Sequence, residues 1–77
     1  MTAKYLYKGM DLTLDIFEEM ELVVSAIAKK EGISFEEAFL LFAQSRTCWC
    51  LQTPATAMWG ENTEFIVDEF YREQKAG

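Results

Sequence analysis

Apolar residues recur along this chain with a period near that of the α-helix, and the breaks between recurrences mark where helices stop. From Asp11 to Glu31, at about 100° per residue, Thr13, Ile16, Phe17, Met20, Val23, Val24 and Ile27 share one stripe. That stripe is the expected core face. Lys29 and Lys30 sit in the last turn, where cations suit the carbonyl end of the helix dipole, and Gly32 can take a left-handed stop. Ile33-Ser-Phe-Glu-Glu-Ala38 then reads as a capping box: Ser34 accepts near Glu37, Glu37 reaches back, and Ile33 and Ala38 form the staple.

A second helix is expected over about Phe35 to Ser45, with Phe35, Phe39, Phe42 and Ala43 on one face and Leu40 and Leu41 beside and behind it. Apolar residues on several sides predict cover from more than one direction. Pro54 disfavours helix at Thr53, so Thr47 to Gln52 can be no more than a short helix. Asn62 or Thr63 can cap a last helix to about Gln74, with Ile66, Val67, Phe70 and Tyr71 inward and Glu64, Asp68, Glu69 and Glu73 mostly in water. Lys4-Tyr-Leu-Tyr-Lys8 alternates instead, and Met1 to Met10 reads as an arm. The expectation is an all-α fold: an arm over 1–10, then one helical domain over 11–77, a small bundle of three main helices with a short helical corner between the second and last.

Composition narrows the function. In 77 residues, 51% are apolar and eleven are aromatic, which suits one small packed domain rather than a disordered tail. Thirteen acids against seven bases give a net charge of −6, which argues against nucleic acid or an anionic membrane as ligand and for a basic partner. The longest strongly apolar stretches, Leu22 to Ala28 and Phe39 to Ala43, are too short to span a bilayer, and no charged start runs into a signal segment. The chain reads as cytoplasmic, with two reduced cysteines.

Histidine is absent, which removes the commonest general base and transition-metal ligand. Cys48 and Cys50 flank Trp49, but on a helix residues two apart point about 200° from each other, so the pair cannot hold one ion or form a mutual disulfide there. A zinc site would need carboxylates or a second chain to complete it. A reactive cysteine would have only Arg46 and a helix start to favour the thiolate. Buried small hydrophobes are the expected role of both. The paired acids Glu18-Glu19, Glu36-Glu37 and Asp68-Glu69 single out no general acid and base, and phosphate-loop or calcium-loop spacing is missing. No catalytic, cofactor or metal residue is assigned, and the reading is not an enzyme.

Trp59, ahead of a helix cap, is expected to fill the core; Trp49 suits a core or a partner surface equally. Opposite the first helix's core stripe lie Asp15, Glu18, Ser25 and Lys29, with Leu22 in their midst and Leu14 at the edge. Leucines among acids suit a basic, partly apolar surface, unless the arm's Tyr5 and Tyr7 fold over them. Leu14, Asp15, Glu18, Glu19, Leu22 and Trp49 are therefore the candidate partner-binding residues, for a basic protein or for a homodimer.

Glu37, Ala38, Phe42, Ser45, Thr47, Leu51, Thr56, Trp59, Glu61 and Ile66 form a pattern that resembles a family of small uncharacterised all-helical proteins of gut bacteria, over about Leu12 to Glu73. This chain departs from it at Cys48 or Trp49, where a tyrosine or other aromatic is usual, and at Asn62, where a serine is. Members of the family are often encoded beside ADP-ribosyltransferase-like toxins. The resemblance implies an antitoxin-like or accessory role. Three alternatives stand beside it: a self-associating module, a cysteine-based redox protein, and a nucleic-acid mimic, which would need a denser acidic stripe than the sequence carries.

Overall fold

The computed structural model describes residues 6–76. The described residues begin with a hairpin, β1 (Leu6–Tyr7) antiparallel to β2 (Met10–Asp11), with Tyr7 opposite Met10. Lys8 and Gly9 turn it with φ of 50° and 80°, the positive pair that a tight two-residue hairpin loop requires. The described part of the arm is thus a hairpin that runs one residue into the segment expected to be helical. Tyr5 lies outside the described residues.

Helix α1 spans Thr13–Glu31 and ends at Gly32, whose φ of 68° places it in the left-handed region while its N–H reaches the Ala28 carbonyl. Helix α2, Phe35–Ala43, starts from the capping box: the Glu37 amide donates to Ser34 Oγ at 3.1 Å and the Ser34 amide to Glu37 Oε1 at 3.3 Å. Helix α3 is six residues, Arg46–Leu51, capped by Ser45, whose Oγ accepts the Cys48 amide at 3.0 Å and donates to the Phe42 carbonyl at 2.6 Å. Thr53 is extended ahead of Pro54, and two 3₁₀ turns, Pro54–Thr56 and Met58–Gly60, lead to α4 (Thr63–Ala76). Asn62 opens α4 by taking the Phe65 amide at 2.8 Å. The fold is all-α, three main helices with a short helical corner between the second and last.

Ile16, Val23, Val24 and Ile27 of α1, Ala38 and Phe42 of α2, Cys48 and Leu51 of α3, and Ile66, Val67 and Phe70 of α4 make the core, with Leu12 at its edge. Phe42 and Phe70 meet edge to face at 5.7 Å. Tyr7, Met20, Ile33, Met58, Trp59 and Tyr71 close its rim.

Three packing expectations need correction. Phe17, expected in the core stripe, is 53% exposed, because the neighbours of α1 cover only the Ile16, Val23, Val24 and Ile27 arc. On α2 only Ala38 and Phe42 are buried; Phe35, Phe39, Leu40, Leu41 and Ala43 are exposed, so among the described residues the helix is covered from one side. The described elements pack on one face of this nine-residue helix and leave the other open. Glu73, assigned to water, is half-buried and bonds to the start of α3.

Candidate functional site

The aromatic corner is held by its hydroxyls. Thr56 Oγ1 donates to the Cys50 and Thr53 carbonyls at 2.6 and 2.9 Å, and Trp59 Nε1 donates to the Pro54 carbonyl at 3.0 Å. Trp59 therefore packs half-buried on the core with its one donor satisfied. Thr47 differs from Ser45, Thr53 and Thr56, which donate to carbonyls, by donating to a side chain, Glu73 Oε1, at 2.8 Å. These bonds explain the serine and threonines of the corner as structural groups.

Cys48 is buried in the core. Burial pushes its thiol pKa up, and the Gln52 amide, donating to Sγ at 3.1 Å, offsets this only in part. Such a thiol is a poor nucleophile at neutral pH. Cys50 is half-buried and lines an open groove between α3 and α4 with Arg46, Met58, Arg72 and Glu73. That groove, about 570 Å³, is large enough for a small ligand. Its charges, however, serve the fold: Glu73 caps α3, and Arg72 pairs with Glu69 at 2.9 Å. Among the described residues no group of three or more His, Cys, Asp or Glu is placed to hold a metal ion.

The α1 candidates divide. Asp15, Glu18, Leu14 and Leu22 all stand in solvent, the leucines 63% and 55% exposed. Tyr7 packs on the core rim instead. Glu19 is half-buried and accepts from Thr63 Oγ1 at 2.7 Å, which ties α1 to the start of α4 and gives it a structural task. Trp49 on α3 is 63% exposed, on the surface side of the two readings open to it.

The sequence reading missed an apolar groove between α1 and α2. Phe17 and Met20 line one wall, Phe35 and Phe39 the other, and Glu21 is its charged lining residue. Phe35 and Phe39 are 45% and 39% exposed. The signal lay in the spacing, since Phe35 and Phe39 are i,i+4 and Phe17, Met20 and Glu21 are i,i+3,i+4, each set one strip of helix surface.

Electrostatically the α1–α2 hairpin is one-sided. Residues 13–43 hold seven acids and two lysines, both in the last turn of α1, a net −5 of the chain's −6. Among the described residues no helix is long and apolar enough to cross a membrane. Comparison with protein-family models, with curated proteins and with solved structures finds no match.

Proposed function

We propose that this protein is a non-enzymatic interaction module that binds a basic protein partner through its α1–α2 hairpin. One observation carries this reading: Leu14, Phe17, Leu22, Phe35 and Phe39 stand exposed on the two helices that hold nearly all of the net negative charge. Apolar area supplies affinity, and the carboxylates supply orientation and a fast approach. The family resemblance adds the role of an antitoxin-like or accessory protein, and two free cysteines suit a reducing cytoplasm.

The test is capture of the tagged protein co-expressed with its neighbouring genes, compared with a Glu18→Lys/Glu21→Lys variant. A stoichiometric basic partner whose recovery falls with rising salt and with the charge reversal is the expected result. Recovery of the protein alone overturns the reading, and a concentration-dependent dimer in sedimentation would replace it with self-association.

A further inference from the structure

Resting on the interaction reading, we infer that the α1–α2 groove is the seat of one amphipathic helix of the partner, apolar on the buried face and lysine- or arginine-rich on its flanks. The two walls lie on neighbouring helices, one turn of each, so the groove is a short trough between two helices, the geometry in which a third helix lays the i, i+3 and i+4 side chains of one turn. Its volume, about 230 Å³, falls below the ~300–1,000 Å³ of small-molecule pockets, while its open top leaves room for apolar side chains from above. One wall is set before binding, because Phe35 is the first residue of α2 and the Ser34–Glu37 capping box holds that turn.

Charge decides among occupants. Glu21 lines the trough, and Glu18 and Glu36 stand in solvent on the same two helices. Between Lys8 and Lys29 the chain has no cation, and between Lys30 and Arg46 none again. A second copy would bring one net −5 hairpin against another, which disfavours it. A helix with basic flanks meets the Glu21 carboxylate at the trough and a net negative charge on the two helices that form it.

The probe is a capped 15-residue peptide with leucine at helical i, i+3, i+4 and i+7 positions and lysine elsewhere, followed by fluorescence anisotropy. Saturable one-to-one binding is expected, weakened at least tenfold by Phe39→Ser and by Glu21→Lys. Phe65→Ser and Asp68→Lys on α4 should leave it unchanged. Unchanged helicity by circular dichroism confirms that the exposed Phe39 position is not needed for folding, and Phe35→Ser repeats the test on the same wall. The inference is overturned if binding is not saturable, if the Phe39 and Phe65 variants bind alike, or if a glutamate version of the peptide binds equally. Should the captured native partner be lost with Leu22→Ser on α1 but not with Phe39→Ser, the interaction reading stands and the groove assignment falls.

Discussion

Glu73, in the last turn of α4, holds Thr47 at the start of α3 by two bonds to one oxygen: the Thr47 amide at 2.9 Å and its hydroxyl at 2.8 Å. Its other oxygen takes the Arg46 amide at 2.8 Å. Helix α3 thus begins with two of its orphan donors satisfied by a residue 27 and 26 positions later, and a third, that of Cys48, satisfied by Ser45.

Losing that cap should loosen α3. Burial raises the Glu73 pKa, but the Arg46 amide, the Thr47 hydroxyl and amide, and the Arg46 charge together bring it below the ordinary 4.5. A depressed carboxylate contributes stability above its unfolded pKa and loses it as pH falls through the folded value. Stability should therefore drop as pH falls below about 4.5, and Glu73→Gln should flatten that part of a denaturation series. Glu73→Ala at neutral pH should cost about 1–2 kcal/mol in a urea melt.

At the alkaline end the sign reverses. Burial first, then the hydrogen bond to Glu31 at 2.5 Å and that carboxylate's charge, push the Tyr71 phenol up to about 12. A phenol raised in the folded state stabilises fully below its unfolded pKa near 10, and the contribution is lost as pH rises toward 12. Stability should fall over that interval in the parent. Tyr71→Phe should remove this slope and the ultraviolet titration component near 12.

The two cysteines should separate by accessibility. Under native conditions a neutral maleimide should label Cys50 first, while Cys48 waits for local opening; in denaturant both should react together. Cys50→Ser should abolish the fast phase, as read by mass spectrometry. Equal native rates would show that the core around Cys48 opens easily.

Neighbouring positions of α2 should differ sharply in tolerance. Phe42, buried against Phe70, should cost about 3–5 kcal/mol as Phe42→Ala, a large share of the roughly 5–15 kcal/mol of a small domain. Leu40→Ala, on the exposed side, should stay within about 0.5 kcal/mol. Thermal melts of the two variants check the contrast.

Sequence alone determined what is local. The capping box at Ser34 and Glu37, the stop at Gly32, the break before Pro54 and the Asn62 cap all act within five residues, so backbone geometry and side-chain reach decide them without the rest of the molecule. The buried halves of the stripes were legible for the same reason, since periodicity gives the angle at which each residue leaves its helix. How much of each stripe is covered depends on how far the packed neighbours extend, and that only the tertiary structure decided. It left Phe17, Phe35 and Phe39 as the walls of a groove, because two helices packed on one side meet along a line and cannot close the trough above it. It also drew Glu73 from the solvent face of α4 to the amides of α3 and Glu19 to Thr63, partners 26 and 44 residues apart that no repeating pattern links.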